Sequence, residues 1–144
     1  MLPKLRVLFL CTGNSCRSQM AEGWARHLHG GCLDASSAGL EPAGLNPLAV
    51  RVMEEAGVDI SGHRSAGLAE LEGERFDAVV TVCDHAHENC PVLPGASRTI
   101  HAGFDDPPRL AREARSEEEA LEHYRRVRDE IRDFVATLLE RLEN

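Results

Sequence analysis

The residues best equipped for chemistry stand near the N-terminus, in Cys11-Thr12-Gly13-Asn14-Ser15-Cys16-Arg17-Ser18, directly after the apolar run Leu5-Arg6-Val7-Leu8-Phe9-Leu10. Backbone N–H groups from Thr12 through Arg17, turned inward in a loop that enters a helix, would form an anion cradle reinforced by the helix N-terminus. The bound group would be tetrahedral and doubly charged. Gly13 permits a backbone conformation that a side chain would resist, and Asn14 tolerates the left-handed region better than most residues. Arg17 supplies a planar fork of donors suited to two oxygens of such a group, which lysine could not reproduce. The same positive field is expected to lower the pKa of Cys11 and make it a thiolate near neutral pH, with Ser18 donating a hydrogen bond to the sulfur. The plain alternative is a buried strand-end cysteine beside a surface arginine. The strand before the loop, the helix after it and the Gly-Asn pair inside it favour the cradle.

A second pair of cysteines, Cys83 and Cys90, brackets the polar segment Asp84-His85-Ala86-His87-Glu88-Asn89. The segment lacks apolar periodicity and is expected to be mobile or only marginally helical. That suits a thiol relay, because a disulfide needs a Cα separation of about 5.5 Å and a cysteine that changes partners must move. His85 and His87 are candidates to lower the thiol pKa values. They could instead complete a Cys2His2 zinc set, although ligands packed so closely along the chain would strain a tetrahedron. Cys16 is read as a packing residue and Cys32, after a Gly-Gly turn, as a bystander.

The elements that must position these residues alternate in type. Leu5–Leu10 reads as a buried strand, and a helix follows from Arg17 with Met20, Ala21, Trp24, Ala25 and Leu28 on one face and Gly30-Gly31 as its stop. Leu33–Ala38 is a weaker strand. Asn46-Pro47 opens a helix carrying Leu48, Val52, Met53 and Ala56 that stops at Gly57. Phe76–Val82 is the strongest β-branched run and delivers Cys83 to its C-terminal end. Ser97–Ala102 is a further strand candidate leading into Gly103-Phe104-Asp105-Asp106-Pro107-Pro108, where two prolines are expected to forbid regular structure. From Ser116 a capping box with Glu119 opens a last helix whose apolar residues, Ala120 to Leu142, follow helical spacing. The acidic Glu117, Glu118 and Glu119 suit its first turn. The expected fold is α/β: one domain over residues 1–144, a four-stranded parallel sheet with helices on both faces. Ligands of such sheets sit at the carboxyl ends of the strands, where Cys11, Cys83 and the Asp106 loop fall.

Composition narrows the partners. At 144 residues about two thirds of the unfolded surface can be buried, so no disulfide scaffold is needed. Five cysteines at irregular spacing point to catalytic or metal-binding thiols in a reducing compartment. No signal segment and no bilayer-length apolar run is visible, so a cytoplasmic location away from membranes is expected. A formal charge of −8 argues against nucleic acid, and any anion site must be built locally.

The stretch Cys11-Thr12-Gly13-Asn14-Ser15-Cys16-Arg17-Ser18-Gln19-Met20-Ala21-Glu22-Gly23 resembles the signature of the thioredoxin-coupled arsenate reductases, which share the fold of the low-molecular-weight protein tyrosine phosphatases. Ser37-Ala38-Gly39, Asn46-Pro47, Cys83 to Cys90 followed by Pro91, and Phe104-Asp105-Asp106-Pro107 follow the reductase pattern in order. The second cysteine pair, and the lack of an aromatic residue after Asp106-Pro107, separate it from the phosphatases. The resemblance implies that arsenate binds on the Thr12, Gly13, Asn14, Ser15, Cys16 and Arg17 loop, with phosphate and sulfate as competitors. It further implies that Cys11 forms a thiol-arsenate adduct with Asp106 as general acid, and that electrons follow a Cys11–Cys83 and then a Cys83–Cys90 disulfide reduced by thioredoxin. Such a monomer would serve arsenic detoxification without a tightly bound cofactor. Asp105 is read as support for its neighbour. Some of these reductases bind potassium through positions matching Asn14, Glu22, Ser37 and an aspartate; Ala66 stands in the last place, which weighs against potassium activation. A phosphatase acting on phosphate esters, which needs only Cys11, Arg17 and Asp106, and a non-enzymatic thiol sensor of oxyanions or metals are the rival readings.

Overall fold

The computed structural model describes residues 4–88, 90, 96 and 98–143. Strands β1 (Leu5–Cys11), β2 (Leu33–Gly39), β3 (Ala78–Thr81) and β4 (Arg98–His101) form one parallel sheet in the order β2-β1-β3-β4. Val7, Leu8, Phe9 and Leu10 are all fully buried. Successive strand residues face opposite sides, so both faces of the sheet are covered. Each of these side chains contributes about 1.5–3 kcal/mol through burial. The chain runs outward from β1 to β2 and then returns to the other side of β1 for β3. The carboxyl ends of β1 and β3 therefore flank a topological switch point, and they carry Cys11 and the approach to Cys83.

Helix α1 (Arg17–His29) buries Met20, Ala21, Trp24 and Ala25 as its spacing predicts, but Leu28 is 40% exposed. Arg26, His27, Gly30, Gly31 and Cys32 are exposed with it; the packing layer ends before the helix does. Helix α2 (Pro47–Glu55) begins as expected: the Asn46 carboxamide oxygen accepts from Leu48 N at 2.8 Å and Ala49 N at 3.2 Å, and Gly57 at φ +85° ends the turn after it. A 3-10 turn at Leu68–Leu71 is an addition the apolar pattern does not announce. Strand β3 is shorter than Phe76–Val82, because Asp77 N already pairs off the ladder with Arg6 O, at 2.8 Å. Strand β4 lies within the expected run, of which Ser97 falls outside the described residues, as do Asn89 and Pro91.

Helix α3 (Asp84–Glu88) follows Cys83 at once. The Pro107-Pro108 expectation is overturned: both prolines lie inside α4 (Pro107–Ala111), at its first positions. The N–H groups that proline lacks have no intrahelical partner there, so the pair costs the helix nothing. Helix α5 (Glu117–Glu143) buries Tyr124, Val127, Ile131, Val135 and Leu138. Its capping box is half made: Ser116 Oγ accepts from Glu119 N at 3.1 Å, while the Glu119 carboxylate accepts from Arg115 N at 3.3 Å, one residue short of the reciprocal bond. Among the described residues no helix is long and apolar enough to cross a membrane.

Candidate active site

The loop from Cys11 to Cys16 is held from outside by its carbonyls. Cys11 O accepts from Leu40 N (3.2 Å), Thr12 O from Glu41 N (2.8 Å), Gly13 O from Ala43 N (2.8 Å) and Ser15 O from Asn46 N (3.0 Å). Asn14 O takes the Gln19 side-chain amide at 3.0 Å. A trans peptide sets each N–H opposite the preceding carbonyl. With five consecutive carbonyls bonded outside the loop, the N–H groups of Thr12, Gly13, Asn14, Ser15 and Cys16 are left to its inner side at the start of α1, an arrangement suited to an oxyanion.

Asn14 has φ +45°, the single non-glycine residue with positive φ among those described. Gly13 is not in the left-handed region; its lack of a side chain serves contact, since a Cβ would come within 3.3 Å of Ala43 Cβ. The tightest glycine is Gly39, at the end of β2, where a Cβ would lie 2.6 Å from Thr12 O, 2.7 Å from Asn14 N and 2.9 Å from Gly13 C. The loop lies directly on it. Gln19 and Gly39 are functional positions that residue types alone do not reveal; both stand inside motifs, but only the contacts show why.

Three sulfur-bearing side chains enter this region buried: Cys11, Cys16 and Cys83. Cys16 packs into the core beneath the loop, and burial pushes its thiol above the ordinary range. Cys11 and Cys83 act on each other, and their interaction pushes the Cys11 thiol up and the Cys83 thiol down. Cys83 is lowered to about 5, first by the Cys11 thiol and then by the Thr12 hydroxyl, the Ala86 N–H and the Arg17 charge. Thr12 Oγ1 and Ala86 N each lie 3.4 Å from Cys83 Sγ, the latter across the first turn of α3. Cys11 is raised, first by its interaction with Cys83 and then by burial, against the pull of Arg17. The expectation of a lowered Cys11 is not met: its thiol is raised, and that of Cys83 is the lowered one. His85 is not among the main causes of that shift, and the His87 side chain is outside the described residues. Cys90 is half-buried, which raises its thiol, and Cys32 is exposed.

Ser18 is placed differently from expectation. Its hydroxyl donates to Asn14 Oδ1 at 2.8 Å, inside the core, and so fixes the left-handed residue rather than the Cys11 sulfur. Arg17 donates through Nη1 to Phe104 O at 2.9 Å, and its Nη2 lies 3.7 Å from Asp106 Oδ1. The guanidinium therefore joins the cradle to the segment that carries the candidate acid. Asp105 turns away to Arg126 at 3.0 Å. A recess of about 170 Å³ follows the loop itself and reaches Asp106 and Pro108; beside it a wider one of about 600 Å³ is lined by Thr12, Arg17, Cys83 and Asp106 among others.

Asn14, Glu22 and Ser37 do come together, but not as ligands for potassium. Asn14 Nδ2 donates to Ser37 O (3.3 Å) and Ala66 O (3.4 Å), while its Oδ1 is taken by Ser18. The Glu22 carboxylate receives the Ser37 hydroxyl (2.7 Å) and Arg26 Nη2 (3.0 Å), with His63 Nε2 at 3.4 Å. Amide hydrogens and a guanidinium stand where a cation would have to, so these residues do not fit the ion. Exchanging sodium for potassium is expected to leave the thermal unfolding midpoint unchanged, because a bound ion would raise it by mass action. A saturable rise with potassium would restore the site. Among the described residues no three His, Cys, Asp or Glu side chains group to hold a metal ion.

Residues 6–144 match the low molecular weight phosphotyrosine protein phosphatase family. The chain is 46% identical over 134 residues to an arsenate reductase of Halalkalibacterium halodurans, covering 93% of this chain and 94% of that one. A solved arsenate reductase in the phosphate binding state superposes with a TM-score of 0.76 at 32% identity, covering 96% of this chain and 98% of the other. A thioredoxin-dependent arsenate reductase of Corynebacterium glutamicum superposes with a TM-score of 0.70 at 26% identity, over 98% of this chain and 63% of that one. With a match that runs from β1 through α5 and these identities over nearly full length, the chain belongs to the low molecular weight phosphotyrosine protein phosphatase family.

Proposed function

We propose that this protein is an arsenate reductase that works through a thiol-arsenate adduct and a disulfide relay, in one domain over residues 1–144. The observation that carries it is a second buried cysteine, Cys83, whose sulfur lies 3.4 Å from Oγ1 of Thr12, the residue after Cys11 in the loop. A phosphatase needs only the first sulfur; a second one beside the loop, its thiol lowered, is suited to attack the first. The near-full-length likeness to arsenate reductases supports arsenate as the substrate.

Arsenate binds on the inward N–H groups of Thr12 to Cys16, with the Arg17 N–H as the next in line and its guanidinium beside them. Cys11 gives its proton to Cys83 and attacks arsenic, an arsenic–oxygen bond breaks, and Asp106 protonates the departing oxygen, which leaves as water. Cys83 releases that proton to solvent and, as a thiolate, attacks Cys11 Sγ. The sulfur–sulfur bond forms and the sulfur–arsenic bond breaks with its electron pair on arsenic, so arsenic is reduced from the +5 to the +3 state and leaves as arsenite. Cys90 then attacks Cys83, freeing Cys11, and a thioredoxin dithiol reduces the Cys83–Cys90 disulfide. Thioredoxin as the donor is supported by the likeness to a thioredoxin-dependent reductase. The protein acts as a cytoplasmic monomer in arsenic detoxification, and phosphate and sulfate compete for the cradle.

A second activity is favoured by the family match and by the Cys11, Arg17 and Asp106 set: slow hydrolysis of phosphate esters. The reductase reading is tested by single turnover with arsenate, without thioredoxin, followed by alkylation and disulfide mapping. The wild type is expected to end as Cys83–Cys90 with one arsenite released per chain, and Cys90→Ser to stop at Cys11–Cys83. Arsenite release with all three thiols still alkylated would reject the relay.

A further inference from the structure

Five residues do not hold a helix unaided, because the first turn fixes several residues for one hydrogen bond. Helix α3 nevertheless begins directly after Cys83, and its first residue is anchored from another strand. Asp84 Oδ1 lies 3.0 Å from Nε2 of His101, at the carboxyl end of β4. The other ring nitrogen, Nδ1, lies 2.9 Å from Oγ1 of Thr81, a residue with no exposed surface at the carboxyl end of β3. The imidazole thus bridges the two residues that flank Val82-Cys83. Gly103 closes over the same pair, since a Cβ there would come within 3.2 Å of both Asp84 Oδ1 and His101 Nε2. An exposed ion pair is worth little when two free side chains must be ordered to make it. Here Thr81 already holds the ring, so Asp84 meets a fixed partner.

What this anchor controls is the sulfur. The Ala86 N–H reaches Cys83 Sγ only while the first turn of α3 is formed, and that bond both aims the sulfur and favours its charge. We propose that His101 is a positioning residue for the relay: held by Thr81, it fixes Asp84 and the first turn of α3, and so keeps Cys83 aligned on Cys11 for attack. The inference rests on the relay proposed above. It gives His101 no contact with arsenate and no share in the proton transfers.

The test uses the full chain with arsenate and thioredoxin. His101→Ala is expected to slow formation of the Cys11–Cys83 disulfide in single turnover by about tenfold, the worth of one to two hydrogen bonds, with the KM for arsenate unchanged. Asp84→Ala should match it, and the double variant should be no slower than either single one, because all three break one bridge. Gly103→Ala, which keeps both partners and crowds them, should slow the same step by a smaller factor. The thiolate absorbance of Cys83 should titrate at higher pH in each variant. Unchanged rates in His101→Ala and Gly103→Ala, additive losses in the double variant, or a parallel loss of arsenate affinity would overturn the role of His101. Arsenite release by Cys83→Ser would instead reject the relay itself, whatever His101 does.

Discussion

Cys83→Ser is expected to bring thioredoxin-coupled arsenate turnover down to background while phosphate-ester hydrolysis is kept or raised. A serine hydroxyl cannot form a disulfide and does not ionise near neutral pH, so the adduct on Cys11 has no second electron donor. The other half of the prediction follows from the interaction of the two thiols. Cys11 is raised chiefly by Cys83. Without Cys83 two of the influences that raise Cys11 are gone; burial still raises it, while the Arg17 guanidinium and the Thr12 N–H lower it. Its thiolate fraction at neutral pH must then rise, which favours attack on a phosphate ester. The wild-type chain should show one thiolate titrating near the value of about 5 assigned to Cys83. That step, followed by ultraviolet absorbance, should vanish in Cys83→Ser and be replaced by a Cys11 step. A step that stays in place would assign the resting charge to Cys11, and surviving arsenate reduction would sink the relay.

Most of the fold is visible in the chain itself because local and tertiary preferences agree. The β1 run, the Asn46-Pro47 start of α2 and the apolar stripe of α5 each follow from residue type and period. The readings that fail do so for definable reasons. Pro107-Pro108 was expected to break structure, yet a proline at a helix start loses no bond. Gly13 and Asn14 are adjacent and either could take the left-handed conformation; which one does depends on the Ser18 and Gln19 bonds from the helix that follows. Which thiol is lowered is not legible at all, because Cys11 ends β1 while Cys83 follows β3, and only the folded chain lets the two act on each other. The chemistry-bearing residue types are therefore readable, but their protonation and their supports are properties of the packed molecule.

Gly39→Ala is the substitution outside the reacting groups from which the largest loss is expected. The added methyl would lie 2.6 Å from Thr12 O, 2.7 Å from Asn14 N and 2.9 Å from Gly13 C. All three are backbone atoms of the cradle, so no side chain can swing aside to make room. Gly39 cannot retreat easily either: it pairs with Cys11 in the sheet register, and its N–H donates to Ala66 O at 2.8 Å. The strain must move the loop, which turns the Thr12 to Ser15 amides off the common centre. Overpacking of this kind costs about 1–3 kcal/mol, read as a thermal midpoint lower by about 3–10 °C. The effect on function should be larger, because displacing reacting groups by about 1 Å can cost on the order of 10²-fold in rate. Oxyanion affinity and arsenate kcat/KM should fall together, with the Cys11–Cys83 pair still able to form a disulfide under oxidant. Two other glycines calibrate the result. Gly13→Ala meets Ala43 Cβ at 3.3 Å and nothing else closer than 3.8 Å, so it should lose less, and Gly31→Ala, with nothing within 4 Å, should behave as wild type. If Gly39→Ala binds oxyanion and turns over like Gly31→Ala, the cradle does not rest on β2, and the outward carbonyl bonds alone must shape it.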